Sequence, residues 1–119
     1  MQASVWRNPK NTVHLDIRPC GSGSACGVVI WASPKAQQQA QKGSGKDLVG
    51  MSLFRDMEKG KDGAWRGKVF VPDINKTLTG SAQPLDGGKL QAKGCLFANV
   101  FCKAQIWIRL DSAAGSKAD

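Results

Sequence analysis

The stretch that decides the fold is Cys20-Gly-Ser-Gly-Ser-Ala-Cys26-Gly-Val-Val-Ile-Trp31, two cysteines around a loop of small residues, followed by a run of apolar β-formers. It reads as a strand end, a tight turn and a buried strand, with the cysteines placed to close the turn. Just before it, Thr12–Arg18 alternates cleanly. Val13, Leu15 and Ile17 fall on one face and His14, Asp16 and Arg18 on the other, the period of a half-buried strand. Gly27–Trp31 is apolar on both faces, so this strand is expected centrally or under another element.

The rest of the chain continues in the same style. Its 119 residues carry 14 glycines and 5 prolines, which favours many short strands joined by turns in one domain. Val5-Trp6-Arg7 opens the fold before a turn at Asn8–Asn11. Leu48–Met57 reads as a strand region, with Val49, Met51, Leu53 and Met57 on one alternation and Phe54 on the other. Glu58–Gly63 is a polar hairpin turn, and Ala64–Val71 a strand that stops at Pro72-Asp73. Lys76–Ala82 and Lys89–Gly94 form a further hairpin, and Ala104–Leu110 is the last strand. Ser33–Gly43 is the one helix candidate, with Ser33 as N-cap, Pro34 in first position and Gly43 at the end, although it has no apolar stripe. Gly43-Ser-Gly-Lys46 is not a phosphate loop, because Ala40 stands where that motif needs glycine and Asp47 where it needs Ser or Thr.

Seven or eight short antiparallel strands in meander order bury their edges most simply by closing. The expected architecture is therefore all-β, a small up-and-down barrel over residues 1–110 with at most one short helix. Residues 111–119 are expected to form a disordered tail. No apolar run approaches the ~18 residues of a membrane-spanning helix. The start, Met1–Trp6, has neither basic leader nor apolar core, so an exported protein would be represented here by its mature form.

Four cysteines, Cys20, Cys26, Cys95 and Cys102, suggest a disulfide framework and hence the periplasm or the cell exterior. Three pairings are possible. The short spacings favour Cys20 with Cys26 and Cys95 with Cys102, each stabilising by roughly 2–2.5 kcal/mol on the chain-entropy model, against roughly 4.4 for a long-range pair. Free buried thiols are the second reading. Zinc is the third and weakest, since the spacings exceed the usual C-x(2–4)-C and His14 is the only histidine. No cofactor or metal is expected.

In order along the chain, Trp6, an alternating strand, Cys20, Cys26-Gly27, Ile30-Trp31, Trp65-x-Gly67, Val71-x-Asp73, Lys76-Thr77, Leu90-x-x-x-Gly94 and Trp107-x-Arg109 resemble the bacterial family called domain of unknown function 2147. The resemblance spans about Val5 to Leu110. It implies a secreted or periplasmic, lipocalin-like barrel. It also implies that Trp6 packs near Arg109 of the last strand to close the barrel, through a cation–π contact of ~0.5–2 kcal/mol. The second cysteine pair departs from the family pattern. The family supplies no catalytic residues to carry over.

Catalysis is poorly supported by the residues themselves. A histidine-dependent triad would have to use His14, which sits with Asp16 on one strand, and paired cysteines leave no thiol nucleophile. Two binding readings remain. In the first, Trp31, Met51, Phe54, Trp65, Phe70 and Trp107 line a cavity for a small apolar or amphipathic ligand; the bland counterpart is that they simply fill the core. In the second, a net charge of +8, from 17 basic and 9 acidic residues, serves an anionic envelope polymer, lipid head group or acidic protein through Lys59, Lys61, Lys89 and Lys93. The bland counterpart is solubility, since the lysines are dispersed. Nucleic acid is disfavoured because no groove-reading motif is present. Basic lysozyme-like enzymes would be repelled. Sequence leaves the oligomeric state open.

Overall fold

Alternation and turn chemistry translate directly into strands in the computed structural model, which describes residues 4–96 and 100–110. In chain order these are β1 (Ser4–Arg7), β2 (Val13–Pro19), β3 (Ser24–Ala32), α1 (Pro34–Ser44), β4 (Ser52–Lys59), β5 (Trp65–Val71), β6 (Lys76–Leu85), β7 (Lys89–Leu96) and β8 (Val100–Leu110). Each strand pairs antiparallel with the next, and β1 pairs with β8, so the sheet closes into an up-and-down barrel. The expected tail, 111–119, lies outside the described residues.

Residues directly opposite each other in an antiparallel pair share a face of the sheet. Trp6 stands opposite Leu15 on β2 and Arg109 on β8, and Leu15 stands opposite Val29. Leu15 and Val29 are fully buried, which fixes this row as the barrel interior. Leu90, Ala92, Phe54, Met57, Trp65, Ala82 and Trp107 complete the core. Large rings are accommodated by small partners. Gly27 stands opposite Phe54, and a Cβ there would come within 3.1 Å of the ring.

Two bulges shift the phase that simple alternation predicts. The β2–β3 register steps between His14 and Leu15, leaving Ile30 as an extra residue. Trp31 is thereby turned outward, 43% exposed against His14 at a ring separation of 4.6 Å, and Ala32 takes the inward position. The β4–β5 register steps between Arg55 and Glu58, where Asp56 has a φ of 51°. Phe54 and Met57 consequently both face the core rather than opposite sides.

The helix forms as Ser33 and Pro34 suggest. The Ser33 hydroxyl accepts from the Ala36 N–H at 3.1 Å, and Pro34 occupies the first turn. It ends at Gly45, not Gly43: Gly45 takes the left-handed conformation and donates its N–H to Gln41. Gly43 lies inside the helix, and glycine is required there because the backbone carbonyls of Pro72 and Asp73 lie where a Cβ would be. With Ala40 and Leu48 buried in the core, α1 seals one end of the barrel against the β5–β6 turn. The last two hairpin strands are also longer than expected, β7 running to Leu96 and β8 starting at Val100.

Both local disulfides are formed, Cys20 with Cys26 across the β2–β3 turn and Cys95 with Cys102 across β7 and β8. This framework points to an oxidising, extracytoplasmic setting.

Candidate functional site

A meander barrel collects alternate turns at each end. Opposite α1 lie the Cys20–Cys26 turn, the β4–β5 turn, the β6–β7 turn, the start of β1 and the end of β8. The β6–β7 turn is tight: Leu85 faces Lys89 across it, and Gly87 and Gly88 both take positive φ, 77° and 70°. The Gly88 carbonyl accepts the Arg109 N–H at 2.8 Å, which ties this turn to the end of β8. Between the turn and β1 lies a groove of about 370 Å³ lined by Ser4, Trp6, Pro84, Leu85, Gly88, Lys89 and Arg109.

The chemistry of the groove is amphipathic. Trp6, Pro84 and Leu85 supply an apolar wall, and Leu85 is 42% exposed. Lys89 and Arg109 supply two cations, and among the described residues no carboxylate lines the groove. Trp6 is held in place by donating its indole N–H to the Ser4 hydroxyl at 2.7 Å. Two residues deeper on the same inward face of β8, the Trp107 indole N–H is buried without a partner. An unpaired buried donor costs about 1–3 kcal/mol, and Trp107 itself does not line the groove.

The barrel interior differs. Its cavity is about 20 Å³ with apolar walls, including Ile17, Phe54, Met57, Trp65 and Leu90. Ligand pockets ordinarily measure roughly 300–1,000 Å³, so this space admits no drug-sized molecule. Of the six residues expected to line a cavity, Phe54 and Trp65 border this small one. Trp107 packs edge-on to Phe54 with ring centroids 5.9 Å apart. Met51 precedes β4 and packs on the edge of the core. Trp31 is on the outside for the bulge reason given above. Phe70 is buried but stands apart from the core cluster, with the Arg55 guanidinium 4.7 Å over its ring. Phe54, Trp65 and Trp107 are packed into the buried core.

Trp6 and Arg109 do meet across the closing strand pair, as cross-strand neighbours lining the groove. The cation–π contact expected of them falls instead on Arg55 and Phe70 among the described residues. The four expected surface lysines do not form one patch. Lys89 lines the groove, while Lys93 projects from the outer face of β7 opposite Ser81. Lys59 ends β4 and Lys61 lies in the β4–β5 turn, near the Arg66–Asp62 ion pair. In that turn the Arg66 guanidinium, helped by the Ala64 N–H, holds the Asp62 carboxyl down to about 2, so these two charges satisfy each other.

His14 lies on the outer wall beside Trp31 with its Nε2 2.8 Å from the Asn11 side-chain oxygen. Burial, and then the nearby Arg7 charge, push its imidazole below the usual value. Cys20, Cys26 and Asp56 bring three potential metal-ligand atoms within 4.8 Å of one another, but both sulfurs are consumed in the disulfide. Pro84, Leu85 and Gly88 were legible only as a turn; their role depends on β1 arriving beside them when the barrel closes.

No curated protein and no solved structure shows significant similarity to the chain. The family described as "uncharacterized protein conserved in bacteria (DUF2147)" matches residues 4–109. With nearly the whole barrel inside that match, the chain belongs to the bacterial DUF2147 family.

Proposed function

We propose that this protein is a non-catalytic binding barrel, exported to the periplasm or beyond, that holds a small amphipathic anion across its open end. The observation that carries the reading is the 370 Å³ groove, which sets Trp6, Pro84 and Leu85 beside Lys89 and Arg109. An alkyl chain would lie along the apolar wall, and its carboxylate or phosphate would meet the two cations. A charge-assisted hydrogen bond contributes roughly 1.5–3 kcal/mol, enough to give strong preference for a charged head group. The non-catalytic half of the reading is supported by His14, which stands on the outer wall and does not line the groove, and by the paired cysteines.

Calorimetric titration with dodecanoate, dodecanol and acetate, all below micelle-forming concentrations, tests the proposal. Saturable one-to-one binding of dodecanoate is expected, with dodecanol at least about tenfold weaker and acetate silent. Equal affinity for dodecanol and dodecanoate would remove the role of Lys89 and Arg109. Failure of dodecanoate to bind would remove the site.

A further inference from the structure

The sealed end of the barrel presents a second surface of a different kind. The outer face of a barrel wall is ordinarily polar, yet four of the five large apolar side chains most exposed among the described residues gather at this end. Ile30 and Trp31 are pushed outward by the bulge at the end of β3. Val49 sits in the connection from α1 to β4, where the neighbouring Gly50 N–H bonds the Val29 carbonyl. Ile74, 53% exposed, tips the β5–β6 turn against which Gly43 of α1 packs.

Five exposed lysines share this end: Lys10 in the β1–β2 turn, Lys35 and Lys42 on α1, Lys46 just after it, and Lys76 at the start of β6. Two carboxylates accompany them, Asp47 and Asp73, and Asp47 accepts from the Gln41 side chain. The ion pairs of the described residues, Arg18 with Asp16 and Arg66 with Asp62, lie elsewhere and leave these lysines unneutralised.

Apolar side chains held proud of a lysine-rich surface match the two layers of an anionic bilayer. The lysines face phosphate head groups, and Trp, Ile and Val side chains enter the boundary with the acyl chains. A soluble polyanion would use the lysines and leave the apolar residues unexplained. We infer that the α1 end of the barrel docks reversibly on an anionic lipid surface, at the opposite end from the groove.

Flotation with phosphatidylglycerol-containing vesicles and with pure phosphatidylcholine vesicles tests this. Binding to the anionic vesicles alone is expected, weakening with salt and accompanied by a blue shift that Trp31→Phe removes. The triple variant Lys35→Glu, Lys42→Glu, Lys46→Glu should weaken binding by roughly a hundredfold, and Ile74→Ser, at an exposed turn, by about tenfold. Lys59→Glu with Lys61→Glu, at the other end, should leave it unchanged. Any of three outcomes would overturn the inference: no flotation with anionic vesicles at low salt, equal loss from the Lys59 and Lys61 changes, or full binding by Ile74→Ser together with equal affinity for soluble dextran sulfate.

Discussion

The interior cavity and the groove at the open end are built from the same barrel, yet one measures about 20 Å³ and the other about 370 Å³. Inside, large and small residues alternate across neighbouring strands, Phe54 over Gly27 and Trp65 beside Ala82, so rings fill the space that small partners leave. At the rim that complementarity stops. Among the described residues, Trp6 is lined there by the small or turn residues Gly88, Pro84 and Ser4, by Leu85, and by the cations Lys89 and Arg109. On the proposed reading, an eight-stranded barrel with little interior space can still hold a ligand where its strands extend past the layer of core side chains.

The largest test of this contrast is Phe54→Ala. Deleting a ring that packs on Trp107 and Gly27 should cost about 3–5 kcal/mol in denaturant unfolding. A loss below about 1 kcal/mol would mean the interior is loosely filled and the two cavities differ only in degree. Next comes the staple at the rim. Replacing Cys20 and Cys26 together by serine should lower stability by about 2.4 kcal/mol on the chain-entropy model, and unfolding in guanidinium would report it. A much larger cost would make the turn part of the core.

A smaller effect, of a different kind, is expected at the groove itself. Arg109→Gln should reduce dodecanoate affinity by about tenfold while leaving the unfolding midpoint nearly unchanged, because the proposal places this exposed side chain against the head group and outside the core. If stability and affinity fell together, Arg109 would be a closing residue of the barrel and nothing more.

The smallest effect concerns His14 on the outer wall. Its folded-state pKa is lowered, so the unfolded chain binds more protons just below the ordinary histidine value of 6.5. Stability should therefore slip slightly as pH falls through that range, and His14→Gln should flatten the slope in thermal melts at pH 7 and pH 5. A steeper slope in the variant would contradict the sign.

The strand content of the fold was legible because its signals are local. Val13, Leu15 and Ile17 set the inward face of β2, and the cysteine spacings matched short closed turns. Trp31 and Met57 changed face for one physical reason: a bulge inserts a single residue, and with a period of two that reverses every side chain beyond it. The bulge at Ile30 has no composition signal in a run of β-branched residues. Gly43 misled in another way, since a glycine demanded by the Pro72 and Asp73 carbonyls resembles one that ends a helix. The groove was the least legible feature. Its lining comes from both termini of the barrel and one hairpin, and only closure of β1 on β8 brings Trp6 and Arg109 beside Leu85 and Lys89.

The most direct measurement is an amide and indole chemical-shift titration of the ¹⁵N-labelled protein with dodecanoate. Saturable shifts should cluster at Ser4, Trp6, Leu85, Gly88, Lys89 and Arg109, with Ala25, Phe54 and Ala82 still. Shifts centred on those interior residues, or none at all, would contradict a site at the rim of a filled barrel.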